Sequence, residues 1–184
     1  MSLRGFRFPL ACLAASYAVL GAVIVAGYHY FPGLLATHFG ADDQPDGWMT
    51  RGGCVRFLVA LGLGAPGIIL LAAFLAARTS LRHFNWNGRT VEIPRDRAPE
   101  VSLFLRRMGL WYACLLVLFI AGAQTSVLIS NVGTAPAHLN RYVFALVLLL
   151  FAVGNGLVAT RILRYFFALS KDPPRPAAPG QLIG

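Results

Sequence analysis

Four long apolar stretches alternate with short polar segments along the 184 residues of the chain. The stretches without Asp, Glu, Lys or Arg contain 34, 21, 33 and 19 residues, at positions 8–41, 57–77, 108–140 and 142–160. Because a helix needs about 20 apolar residues to cross a bilayer, each stretch predicts one transmembrane helix. The expected spans are 10–30, 57–77, 110–129 and 142–163.

The predicted fold class is therefore all-α, an integral membrane bundle of four transmembrane helices. Residues 1–170 form this domain, and the proline-rich segment 171–184 is expected to be a flexible tail. Composition agrees, because only 12% of the residues are charged, against about 25% in soluble domains. A cleavable signal peptide is the alternative for the first span, but its apolar stretch exceeds the usual h-region of about 7–15 residues.

The distribution of Lys and Arg predicts the orientation. Thirteen of these residues lie at the two termini and between spans two and three, and three lie on the opposite side. The positive-inside rule places the richer side, with both termini, in the cytoplasm. The net charge of +9 is then a topology signal that also attracts anionic lipid, and no nucleic-acid partner is expected.

The segment between spans two and three predicts a short β-hairpin. Asn87 and Gly88 form a typical hairpin turn between two runs in which aromatic or β-branched residues alternate with polar ones. Trp86 with the neighbouring arginines indicates contact with the lipid interface. Docking of a cytoplasmic protein is the alternative for this hairpin.

The loop after the first span carries the most informative pattern. Pro32 is expected to end the first helix, and Pro45-Asp46-Gly47 is typical of a turn. Trp48 follows at the level of the membrane interface, and Arg51 is expected to anchor the second span.

This loop resembles the signature of a bacterial membrane family called domain of unknown function 1648. The matching positions are Phe31-Pro32, Thr37-His38-Phe39, Pro45-Asp46-Gly47-Trp48 and Arg51. Ala36 stands where the family usually has proline, and Asp43 where it usually has glycine. The resemblance implies a multi-pass protein of the bacterial inner membrane, distantly related to immunity and signalling proteins of the Sdp type.

Metal binding is the chemistry suggested by the residues expected at the outer face, which are His29, His38, Asp42, Asp43, Asp46, Cys54 and His138. No recognised ligand spacing is present. We therefore expect His38 to form a hydrogen bond within the loop, Asp46 to build the turn, and the other two acids to be solvated. No cofactor, metal ligand or catalytic residue is predicted.

Polar residues inside the spans are few, and none is charged at a span centre, which argues against a proton-coupled carrier. Gln124 and Asn155 are predicted to form a hydrogen bond between spans three and four. Small residues four apart predict close helix approach at Ala22/Ala26, Ala60/Gly64 and Ala152/Gly156.

The function expected from these patterns is that of a non-enzymatic envelope sensor, binding protein or immunity-type protein. It would act through the first extracytoplasmic loop, with the binding residues Pro32, His38, Phe39, Pro45, Asp46, Gly47, Trp48 and Arg51. The alternative is a small accessory or structural subunit of a larger membrane transport complex, and a weaker one is a metal-dependent enzyme on the outer face. The lipid bilayer is the expected partner, and a protein partner or a homo-oligomer stays open.

Overall fold

The computed structural model describes residues 4–78, 83–86, 89–93, 96–132 and 137–171. The helices are α1 (Arg4–Tyr30), α2 (Arg51–Arg78), α3 (Ala98–Asn131) and α4 (Arg141–Lys171). The strands are β1 (Leu34–Phe39), β2 (Pro45–Thr50), β3 (His83–Trp86) and β4 (Arg89–Glu92). All four helices are long and apolar enough to cross a membrane, which confirms the predicted fold class. Apart from Lys171, the expected tail lies outside the described residues.

Each helix extends beyond its predicted span, because helical backbone continues through the charged residues that flank the apolar stretches. The helices contain 27, 28, 34 and 31 residues. The largest difference is in α3, which begins at Ala98 with Pro99 in its first turn, where a missing N–H costs nothing. Arg106 and Arg107 therefore lie inside a helix and not in a loop.

Side-chain caps set the starts of α2 and α4. The Thr50 hydroxyl accepts a hydrogen bond from the Gly53 N–H at 3.1 Å, and the Asn140 side-chain oxygen accepts one from the Val143 N–H at 3.2 Å. Both satisfy a donor that the first turn of a helix leaves unpaired.

Helix α3 is the centre of the bundle and packs against the other three helices. In its most apolar window 44% of the residues are buried, whereas none is buried in the corresponding window of α4. The main core joins α1, α2 and α3 through Leu20, Leu58, Val117 and Ile120. Helix α4 packs mainly on α3, and the rest of its apolar surface has no neighbour among the described residues.

The helices approach closely at glycines other than the predicted pairs. A Cβ on Gly109 of α3 would lie 2.5 Å from the Ala73 Cβ of α2, and one on Gly62 would lie 2.7 Å from Leu20 Cδ2. The predicted small-residue pairs are wrong as contact sites. Both residues of Ala60/Gly64 and of Ala152/Gly156 are exposed, and so is Ala22 of the third pair. Spacing alone does not say which face of a helix meets a neighbour.

Strands β1 and β2 form one antiparallel hairpin, the first hairpin, and β3 and β4 form the second hairpin. The second was predicted, and its pairing of Trp86 with Arg89 agrees with a turn at 87–88, which lies outside the described residues. With four spans, the first hairpin and residues 137–140 lie on one side of the bundle, the first-hairpin side. The start of α1, the end of α4 and the second hairpin lie on the other, the terminus side.

The turn expected at Pro45-Asp46-Gly47 is wrong, because these residues begin strand β2. The chain reverses one step earlier, where the Gly40 N–H donates to Gln44 O at 2.8 Å and the Asp43 N–H to Gly40 O at 3.0 Å. Asp43 has φ 62°, a left-handed conformation that Asp and Asn tolerate better than most residues. Proline is accepted at the first position of a strand, so Pro45 does not prevent the pairing.

Candidate functional site

The first hairpin is anchored between α1 and α2 by buried apolar residues. Helix α1 ends at Tyr30, two residues before Pro32, as predicted. Phe31 is 1% exposed and donates its N–H to Gly27 O at 2.9 Å, and Leu35 and Ala36 are fully buried. This burial fixes β1 to the end of α1 and to the neighbouring helices.

Asn131, the last residue of α3, holds the backbone of β1. Its side-chain oxygen accepts the Ala36 N–H at 2.8 Å, and its side-chain nitrogen donates to Ala36 O and to Val127 O, each at 2.8 Å. The amide thereby satisfies both polar groups of a buried residue on the strand. Asn131 is not among the predicted site residues, although a carboxamide at the end of an apolar span is a signal for such a role.

The turn of the hairpin is attached to the segment before α4. The Asp43 carboxylate pairs with the guanidinium of Arg141, and its backbone oxygen accepts the Leu139 N–H at 3.4 Å. The Gln44 side-chain nitrogen lies 3.2 Å from His138 Nδ1. The prediction that Asp43 is solvated is therefore wrong, because its side chain is only 20% exposed and is paired. Asp42 stays exposed and accepts the Gln44 N–H at 3.2 Å.

His38 of β1 and Asp46 of β2 pair across the hairpin through His38 Nδ1 and a carboxylate oxygen. This confirms the expected hydrogen bond within the loop, although Asp46 makes it from a strand and not from a turn. A Cβ on Gly47 would lie 2.8 Å from His38 Cβ, so glycine leaves the space that the histidine occupies. Within the described ranges, no three His, Cys, Asp or Glu side chains come together as a metal site.

A half-open cavity of about 360 Å³ lies beneath the first hairpin, between α2 and α3, with the start of α4 in its wall. Its wall from the hairpin contains Thr37, His38, Phe39 and Met49. The helices and the segment before α4 contribute Cys54, Phe57, Leu58, Leu61, Phe119, Ile120, Ala123, Gln124, Ser126, Val127, Leu139 and Phe144. The lining is mostly apolar, and this size is at the lower end of the range of about 300–1,000 Å³ for small-molecule sites.

Two polar residues of this cavity are buried, Gln124 with 5% and Ser126 with 1% of the surface exposed, and the Ser126 hydroxyl donates to Gly122 O of its own helix at 3.2 Å. Gln124 is the one of the two whose polar groups are not satisfied by its own helix. Its side-chain nitrogen donates to Cys54 Sγ at 3.6 Å, a weak acceptor, and its side-chain oxygen has no hydrogen-bond donor among the described residues. The predicted bond to Asn155 is wrong, because Gln124 faces α2 while Asn155 donates to Phe151 O of its own helix at 2.7 Å. The Gln124 amide therefore retains unused hydrogen-bonding capacity inside an apolar space.

The eight residues predicted for the loop take different places in the structure, with Pro32 just after α1 and Pro45 at the start of β2. His38 and Phe39 line the cavity, whereas Asp46 and Gly47 position His38 from the opposite strand. Trp48 is 52% exposed, as an interfacial residue would be. Arg51 begins α2, donates its backbone N–H to Gly33 O at 3.0 Å, and has a buried Nε without a partner in the described part of the chain.

Comparison of the chain with protein-family models, with curated proteins and with solved structures finds no match in any of the three. The resemblance of residues 31–51 to domain of unknown function 1648 therefore stays a prediction. The geometry of the site carries the functional argument alone.

Proposed function

We propose that this chain is a non-enzymatic protein of the bacterial inner membrane that binds a small amphipathic molecule beneath its first hairpin. In this role it acts as an envelope sensor or an immunity-type protein, with the first-hairpin side facing out of the cell. The orientation rests on the excess of Lys and Arg on the terminus side.

The observation that carries the proposal is the Gln124 amide in the wall of the apolar cavity. A buried polar group without a strong partner costs free energy, and a ligand that supplies a hydrogen bond recovers it. The expected ligand therefore has an apolar body that fills about 360 Å³ and a donor group for the free oxygen of Gln124. In small-molecule sites of this kind, a few polar groups usually fix the orientation of a mostly apolar ligand.

The first hairpin is the element through which binding is expected to be sensed. Its strand β1 supplies part of the cavity wall and its turn is attached to Arg141 at the start of α4. If the ligand binds more tightly to one conformation of the hairpin than to another, binding increases the fraction of molecules in that conformation. The pairing of His38 with Asp46 holds the upper wall in place.

The test is to analyse by mass spectrometry the small molecules that copurify with the full chain. Ala123→Phe fills the cavity, and Ala152→Phe is the matched control on the exposed surface of α4. We expect one compound at a fixed ratio with the wild type and with Ala152→Phe, and its loss with Ala123→Phe. No copurifying compound in the wild type, or equal recovery from both variants, would contradict the proposal.

The immunity role predicts a second result in cells. Expression of the chain should protect a sensitive bacterium against one membrane-active toxin or peptide, and Ala123→Phe should abolish this protection at equal abundance in the membrane. A green fluorescent protein fused after Gly184 should fluoresce in the same cells, since the fusion would lie in the cytoplasm. The predicted orientation would be wrong if this fusion is dark and a fusion at the same position to a phosphatase that is active only in the periplasm shows activity.

The second candidate function is that of an accessory subunit in a larger membrane complex. The observation that favours it is the apolar surface of α4, which packs mainly on α3 and has no buried residue in its most apolar window. Cross-linking in the membrane followed by purification should then capture a partner at a constant ratio. Recovery of the chain alone would favour lipid as the neighbour of α4.

A further inference from the structure

Two arginines on the terminus side share one aromatic ring. The guanidinium carbon of Arg78, at the end of α2, lies 4.5 Å from the centre of the Phe74 ring, and that of Arg106 on α3 lies 4.9 Å from it. A cation–π contact stabilises each positive charge but leaves N–H donors of the guanidinium for other partners. Two like charges on one ring also repel each other, so an anion near both would be favourable.

No acidic side chain of the described ranges neutralises this pair. Neither Arg78 nor Arg106 forms a salt bridge there, and Glu100 on the same side is paired with Arg97, with Nε 3.4 Å from a carboxylate oxygen. The Nε of Arg106 is buried and has no hydrogen-bond partner among the described residues. Because the protein covers this atom, an anion would be bound by the two terminal nitrogens of the Arg106 guanidinium, which are not buried without a partner in the described residues.

An apolar groove begins beside the two arginines. It has a volume of about 360 Å³ and is lined by Leu70, Leu71, Ala73, Phe74, Arg106 and Leu110. Beside the groove, α2 and α3 approach closely at Ala73 and Gly109. Leu70 and Leu71 lie about two helical turns deeper in the membrane than Arg78, so the groove runs from the charged end toward the bilayer interior.

We infer that the terminus side holds a specific site for an anionic phospholipid. The phosphate accepts hydrogen bonds from Arg78 and Arg106, and one acyl chain lies along Leu71 and Leu110 in the groove. Arginine suits this role because its planar fork of donors matches phosphate oxygens. The groove distinguishes a lipid from free phosphate, which would gain nothing from apolar walls. The site is independent of the cavity beneath the first hairpin.

The test is titration of the purified full chain with lipids, followed by native mass spectrometry. Phosphatidylglycerol is compared with phosphatidylcholine of the same acyl chains. We expect phosphatidylglycerol to bind about tenfold more tightly, and Arg78→Gln and Arg106→Gln each to weaken it by about tenfold. Arg164→Gln, which removes the same charge from an exposed position on α4, should leave binding unchanged.

Two further measurements distinguish a lipid from free phosphate as the source of the anion. Leu71→Trp, which obstructs the groove and keeps both arginines, should weaken phosphatidylglycerol binding, and inorganic phosphate should not displace the lipid. Any one of three results would overturn the inference. These are equal binding of the two lipids, equal effects of Arg106→Gln and Arg164→Gln, and displacement of the lipid by phosphate. If Arg106→Gln does not fold, the exposed Arg78→Gln and Leu71→Trp variants decide the outcome.

Discussion

Asn131 and Ala36, 95 positions apart in the chain, are joined by two hydrogen bonds of 2.8 Å between a side-chain amide and a backbone. Ala36 lies on β1 and is fully buried, so its N–H and C=O have no access to water. The amide takes the place that a neighbouring strand would have in a larger sheet. The end of α3 therefore holds the first hairpin above the cavity.

Replacing Asn131 by alanine should destabilise the protein by about 2 kcal/mol, because it leaves a buried N–H and C=O unpaired. Asn155→Ala is the matched control, since Asn155 bonds only to a carbonyl of its own helix and should cost much less. The free energy of unfolding in mixed micelles, from titration with a denaturing detergent, measures both. Equal losses for the two variants would show that the bonds to Ala36 add no stability.

Asp43 combines an ion pair with a left-handed backbone, and two substitutions separate these effects. Asp43→Asn tolerates φ 62° and loses the charge, so it should cost at most about 1 kcal/mol. Asp43→Ala also loses the conformational tolerance and should cost about 1 kcal/mol more. The same unfolding measurement checks this order, and added salt should reduce the difference between wild type and Asp43→Asn. An alanine variant as stable as the asparagine variant would contradict the strain argument.

The four helices could be predicted from the sequence because charge-free stretches depend only on the cost of moving charge into lipid. Their ends could not, because a helix continues through arginines once it has left the hydrocarbon. Arg106 illustrates this, since it lies outside the expected span 110–129 and inside α3.

The first hairpin shows where reading the chain locally fails. Pro45-Asp46-Gly47 has the composition of a turn, yet it forms a strand because β1 is fixed by burial of Leu35 and by Asn131. The contacts that decide the register come from residues far away in the chain. Of the candidate site, His38, Phe39 and Gln124 were predicted, and Cys54 was predicted only to lie at the outer face. Asn131 was not predicted, since its role arises only when α3 and the hairpin meet.

The Cys54 thiol reports access to the cavity. In a background with Cys12→Ala and Cys114→Ala, N-ethylmaleimide should react slowly with Cys54, which is 2% exposed. Asn131→Ala should speed the reaction by about 30-fold, the change in open population that about 2 kcal/mol produces. Ala123→Phe should slow it several-fold, and Ala152→Phe should not. An unchanged rate in Asn131→Ala would mean that the hairpin does not control entry.

Gly109 and Gly156 offer a matched test of helix packing. A Cβ on Gly109 would lie 2.5 Å from the Ala73 Cβ of the facing helix, whereas a Cβ on Gly156 would meet nothing within 4 Å. Gly109→Ala should therefore destabilise the protein by about 1–3 kcal/mol, because α2 and α3 must separate. Gly156→Ala should be neutral or stabilising by up to about 1 kcal/mol, since alanine restricts the unfolded chain without a clash. The free energy of unfolding in micelles measures both, and a stable Gly109→Ala variant would mean that α2 and α3 do not pack as closely as this contact requires.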